Sequence, residues 1–124
     1  MSSMATVLLV DDERSLLDFV SMVLREAGHD VLNASNGVEA LMIYSSYKSS
    51  IDLVLTDIVM PGMNGVELAA RLRALNPKLR ILLMSGFVPG DITVPHDIQV
   101  LQKPFQPSRL LDAICQSLEA APLC

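Results

Sequence analysis

Five short apolar runs alternate along the chain with longer segments of helical periodicity, and this alternation restricts the fold more than any other feature. The runs are Ala5–Val10, Asp30–Ala34, Leu53–Thr56, Arg80–Met84 and Ile98–Leu101. Between the first two, Leu16, Val20, Val23, Leu24 and Ala27 recur at helical spacing, which predicts a helix over Glu13–Ala27 stopped by Gly28. Asn36 with Glu39, and Asn64 with Glu67, each place a capping side chain three residues before an acid, so helices should open over Gly37–Ser45 and Gly65–Leu75. Pro107 suits a first helical residue and leads into Ser108–Ala120, with Leu111, Ile114 and Leu118 on one face. Strands that are apolar almost throughout, each followed by a helix, imply a parallel sheet covered on both faces. The fold class is therefore α/β, a doubly wound open sheet whose ligands bind beyond the carboxyl ends of its strands. One crossover breaks the pattern. Phe87–Asp97 contains Pro89, Gly90 and Pro95; an interior proline costs a helix about 3 kcal/mol and a glycine about 1. The fourth helix should be short or irregular.

At 124 residues the chain is expected to form a single domain over 1–124, with its core over about residues 5–120. A composition 51% hydrophobic and 19% charged is too apolar for disorder, and charges interrupt each apolar run before it could span a membrane. The net charge of −5 disfavours a nucleic-acid partner, which would need phosphate neutralisation. Ala5–Val10 has no basic segment before it and ends in acids, so no export signal is expected and a cytoplasmic location is. Two cysteines are too few for a disulfide framework; Cys115 reads as a small buried apolar side chain and Cys124 as a terminal thiol.

The chemistry lies at the strand ends. The first run ends in Asp11-Asp12, the third in Asp57, the fourth in Ser85 and the fifth in Lys103-Pro104. Three carboxylates in one crevice would repel and raise one another's pKa unless a cation screens them. An all-oxygen set suits Mg²⁺, which takes one or two carboxylates and leaves room for phosphate oxygens. Lys103 adds a point charge for a phosphate and Ser85 a hydroxyl donor. Asp57 can then act as a nucleophile, since carboxylates form aspartyl phosphates. Asp12, placed just ahead of a helix, is also suited to cap it.

Taken together, Val10-Asp11-Asp12-Glu13, Asp57-Ile58-Val59-Met60-Pro61-Gly62-Met63-Asn64-Gly65, Met84-Ser85-Gly86 and Gln102-Lys103-Pro104-Phe105 make the chain resemble the receiver domain of two-component response regulators over about Val7 to Leu118. The resemblance implies a five-stranded sheet of order 2-1-3-4-5, which sets Asp12 beside Asp57. It implies that Asp57 accepts a phosphoryl group from a phosphohistidine on a histidine kinase or histidine phosphotransfer protein, and that the chain then signals to a downstream protein. Such a domain is not a conventional enzyme, although it promotes its own phosphorylation and dephosphorylation. Carried over position by position, Asp12, Asp57 and the Val59 carbonyl would bind Mg²⁺ directly and Asp11 mainly through water. Ser85 and Lys103 would hold the phosphoryl oxygens, and the bond before Pro104 would be cis.

Rival readings are weaker. A flavodoxin-like binder needs glycines and hydroxyls after the first strand, where this chain has Asp11, Asp12 and Glu13. An aspartyl-phosphate phosphatase needs a general acid two residues after its nucleophile, where Val59 stands. A degenerate receiver working only as a phosphorylation-independent binding module would not need the full set of acids, serine and lysine. Pro61-Gly62 and Asn64-Gly65 read as turn chemistry with no catalytic part, and His29 and His96 as surface residues. Met22 projects away from the apolar stripe of its helix and Phe19 lies at the margin of that stripe, and the two suit an exposed docking patch. Receivers usually carry an aromatic residue three positions before the lysine; Val100 occupies that place.

Overall fold

The structure, a computed structural model, describes residues 5–118. Its elements are β1 (Thr6–Val10), α1 (Arg14–Glu26), β2 (Asp30–Ala34), α2 (Gly37–Tyr47), β3 (Leu53–Asp57), α3 (Gly65–Leu75), β4 (Arg80–Ser85), β5 (Gln99–Gln102) and α4 (Pro107–Ser117). The strands form one parallel sheet of order β2-β1-β3-β4-β5, the doubly wound topology that the alternating pattern and the resemblance imply. No helix among the described residues is long and apolar enough to cross a membrane.

Alternate residues of the central strands feed two cores. Leu8, Val10, Val54, Ile81 and Leu83 pack with Ala40 and Tyr44 of α2 and Leu68 and Leu72 of α3. Val7, Leu9, Leu55, Leu82 and Met84 pack with Leu17, Val20 and Leu24 of α1 and Leu110 and Ile114 of α4. A strand whose both faces are covered can afford no polar position until its end. That is where the polar residues stand.

Between β4 and β5 the described chain forms turns and no helix, as the prolines require. The segment is nevertheless tied down: Ile92 N–H donates to the Pro89 carbonyl at 3.0 Å, Arg73 reaches Asp97 at 2.7 Å, and Ile92 and Val94 pack on the first core.

The other departures are local. The buried stripe of α1 centres on Leu17, with Leu16 only half-buried at its edge, and it includes Ser21, whose hydroxyl donates to Asn33 at 2.9 Å. His29 is buried, 5% exposed, and not on the surface. Gly28, at φ 98°, reverses the chain so that its own N–H reaches the Arg25 carbonyl and the His29 N–H the Leu24 carbonyl, both at 3.0 Å. This helix-closing turn folds His29 back under α1, where its Nδ1 has no partner and burial lowers its pKa. His96 is exposed as expected. Cys115 is half-buried instead of buried; Cys124 and the end of the predicted Ser108–Ala120 helix lie outside the described residues.

Candidate functional site

Strand register explains why residues far apart in sequence converge. Val10 pairs with Thr56, so Asp11 and Asp57 occupy matching positions at the next step of neighbouring strands. Ser85 pairs with Gln102, which brings Lys103 to the same edge, where its N–H donates to the Ser85 carbonyl at 2.9 Å. The Lys103–Pro104 bond is cis, as the resemblance implies.

Lys103 Nζ lies 3.1 Å from Asp57 Oδ2 and 3.2 Å from Asp11 Oδ2, bridging the two carboxylates. Asp11 is fully buried; Asp57 is 8% exposed and Asp12 is exposed. Burial pushes the Asp11 carboxyl above its ordinary pKa, the Glu13 N–H at 2.9 Å opposes that, and the charge on Asp57 adds to it. Burial opposes the charge on Lys103, but Asp11 and Asp57 outweigh it and the net shift is upward. The ammonium is therefore held charged. Asp11, not Asp12, receives the backbone N–H at the start of α1; the capping residue Glu13 has no side-chain cap bond. Asp12 is thus left to project outward.

Asp11, Asp12 and Asp57 each offer an oxygen, all within 4.8 Å of one another. Three hard oxygen donors at that spacing, one of them exposed, fit a divalent cation that keeps part of its water shell. Ser85 is buried, 2% exposed, and its hydroxyl donates to the Phe87 carbonyl. No hydrogen bond joins that hydroxyl to Asp57 among those described. Val59 lies in the turn after β3 with its side chain 47% exposed, and Phe87 is 71% exposed.

Two residues that hold Asp57 escaped the sequence reading. Thr56 Oγ1 donates to the Asp57 carbonyl at 3.0 Å. Gly65, the first residue of α3, donates its N–H to the Ile58 carbonyl at 2.7 Å, and a Cβ there would lie 2.2 Å from the Asp57 carbonyl oxygen. Gly65 is therefore more than turn chemistry: only a residue without a side chain lets α3 abut the backbone of Asp57. A glycine at a helical position that tolerates most residues was the available signal. The Phe19 and Met22 side chains are exposed, 36% and 51%, as their helical positions suggest.

Comparisons with known proteins agree with the fold. The profile of the family described as response regulator receiver domain matches residues 7–115. The response regulator receiver protein CpdR of Brucella abortus (strain 2308) is 37% identical over 123 residues, covering 95% of this chain and 100% of the relative. Sporulation initiation phosphotransferase F of Bacillus subtilis (strain 168) is 29% identical over 114 residues, covering 87% and 89%. The crystal structure of the receiver domain from the hybrid histidine kinase CckA superposes with a TM-score of 0.80 at 30% identity, covering 92% of this chain and 99% of that one.

Proposed function

Because the chain belongs to the response regulator receiver domain family of two-component signal transduction, we propose that Asp57 is its phosphoacceptor and that the phosphoryl donor is a phosphohistidine on a histidine kinase or phosphotransfer protein. The observation that carries this reading is the Lys103 ammonium poised between Asp57 and Asp11, at 3.1 and 3.2 Å, on the rim of a three-carboxylate cluster. A lysine so placed can follow the phosphoryl oxygens as the Asp57 oxygen forms its bond to phosphorus and the phosphorus–nitrogen bond of the donor breaks. The donor imidazole leaves with the electron pair of that bond and takes up a proton.

Asp11, Asp12, Asp57 and the Val59 carbonyl would hold Mg²⁺, with Asp11 acting mainly through water. When bound, the ion supplies charge neutralisation for carboxylates and transferring oxygens alike. Ser85 would contribute its hydroxyl to a phosphoryl oxygen, and to do so it must exchange its bond to the Phe87 carbonyl. With Val100 in place of an aromatic ring, that exchange is the means by which phosphorylation reaches the irregular 86–98 segment, and through it a downstream protein. Names among the relatives, a phosphotransferase and a hybrid kinase, support a place in a phosphorelay.

The test uses a small-molecule phosphodonor with Mg²⁺, read by intact-protein mass. One phosphoryl group is expected, and Asp57→Asn should abolish it. Uptake by the Asn variant, or none by the parent chain, overturns the assignment; the second outcome would leave a phosphorylation-independent binding module. The lifetime should be long, because neither Val59 nor Phe87 can orient an attacking water through a hydrogen bond. Val59→Asn should shorten it several-fold in a decay assay, and an unchanged lifetime would remove Val59 from the account.

A further inference from the structure

The second helix carries more apolar surface than its place in the fold uses. Along Gly37–Tyr47 the only polar side chains apart from the tyrosine hydroxyls are Glu39, Ser45 and Ser46, so α2 is apolar nearly all round. A helix of that kind is normally buried on more than one side. Here one side, through Ala40 and Tyr44, meets the sheet. The other leaves Val38 61% and Met42 66% exposed, one turn apart. They form one wall of a groove of about 730 Å³ whose opposite wall is Pro61, Gly62 and Met63. The groove is closely built at its base: Gly37 is buried, and a Cβ there would meet the Met63 sulfur at 2.7 Å.

We propose that this groove docks a basic amphipathic helix of a partner protein. Its length along α2 offers two apolar anchors at one-turn spacing, the pattern by which a helix is received in a groove. Its charged lining consists of two acids, Asp12 and Glu39, with no base among the lining residues. An occupant should therefore carry leucine-like anchors flanked by lysine or arginine. A second copy of this chain fits poorly, because a self-complementary contact would set Asp12 and Glu39 against their own counterparts. The patch is also small beside the roughly 800 Å² that each partner of a stable dimer buries. Phe19 and Met22 lie on α1, which packs on the opposite face of the sheet, so the groove and that patch can be occupied together. The proposal does not depend on Asp57 being the phosphoacceptor; because Asp12 also belongs to the set proposed for Mg²⁺, the titration that tests it is made without Mg²⁺.

The probe is a synthetic helical peptide with two leucines one turn apart flanked by lysines, titrated into the full ¹⁵N-labelled chain. Amide shifts should be confined to residues 12, 35–42, 62 and 63, and Met42→Lys, a change at an exposed position that removes an anchor and repels the lysines, should weaken binding at least tenfold. A matched peptide with glutamates for the lysines should not bind. Failure of the lysine peptide to bind overturns the proposal. So do equal binding of the glutamate peptide, shifts centred on α1 or spread over the acidic surface, or an affinity unchanged by Met42→Lys. Concentration-dependent shifts at the same residues without peptide would assign the groove to a second copy and equally overturn it.

Discussion

Helices α2 and α3 both open on the residues Asn-Gly-Val-Glu, at 36–39 and 64–67, and the structure puts the two identical starts to different uses. In α3 the box is closed: Asn64 Oδ1 accepts the Glu67 N–H at 2.8 Å and Glu67 Oε1 accepts the Asn64 N–H at 2.9 Å. In α2 the Asn36 half is the same, again 2.8 Å to the Glu39 N–H, but Glu39 reaches one residue further back, to the Ser35 N–H at 2.6 Å. Gly65 abuts backbone, the Asp57 carbonyl, whereas Gly37 abuts a side chain, that of Met63, with the sulfur nearest. Val66 packs against the core and Val38 stands in solvent. Four residues suffice to start a helix. What lies behind the start decides whether the glycine is a clamp on the site or a seat for a movable side chain.

The strongest way to break this comparison is to add the same methyl group to both glycines. Gly65→Ala forces rigid backbone apart and should cost about 2 kcal/mol in urea unfolding, within the usual range for overpacking. It should also slow phosphorylation by the small-molecule donor more than tenfold. Gly37→Ala must turn the Met63 thioether and ease the Met63 Cβ, 3.1 Å away, by a few tenths of an ångström; it should cost about 1 kcal/mol, less than Gly65→Ala, with an unchanged phosphorylation rate. Equal losses in both would show that the Asp57 contact is not what distinguishes them. The caps sharpen the comparison from the other side: Asn36→Ala and Asn64→Ala remove the same bond at the same 2.8 Å. Each should therefore cost about 1 kcal/mol by the same measurement.

The smallest difference between the two starts should come from pH. Burial lowers the pKa of His29 in the folded chain, so the unfolded chain binds its proton more tightly. Stability is then complete above the ordinary histidine value of about 6.5 and falls as pH drops below it, by at most about 1.4 kcal/mol per pH unit. His29 lies in neither helix, so every variant above should share this slope and no difference should appear between them. Urea titrations at pH 7.5 and 5.5 would check this, and His29→Leu should flatten the slope.

Much of the site could be read in the residues alone because strands covered on both faces have only their ends free for chemistry. Asp11, Asp57, Ser85 and Lys103 were legible for that reason, and register alone brings them together. Gly65 was not, because the contact that demands it lies with the Asp57 carbonyl, and an Asn-Gly pair before a helix is explained well enough by the turn. The same four letters at Asn36 show that nothing local marks the difference. His29 was misplaced because a polar residue after a stop glycine normally faces water, and only the doubled-back turn at Gly28 turns it inward. The bond from Ser85 to the Phe87 carbonyl needed the path of an irregular segment that has no periodicity to read.

The bridge from Lys103 to Asp11 spans 92 residues. A ribosome adding about 5–20 residues per second needs on the order of ten seconds to make the intervening chain. During that time a growing chain already displays its first two aspartates, and then Asp57, without the ammonium that is to sit between them. On the role proposed for Asp57, an unfinished chain would be deaf to a phosphoryl donor: competence to receive a signal would arrive only once Lys103, just past the last strand, has joined the two carboxylates, and would certify that the whole sheet has closed.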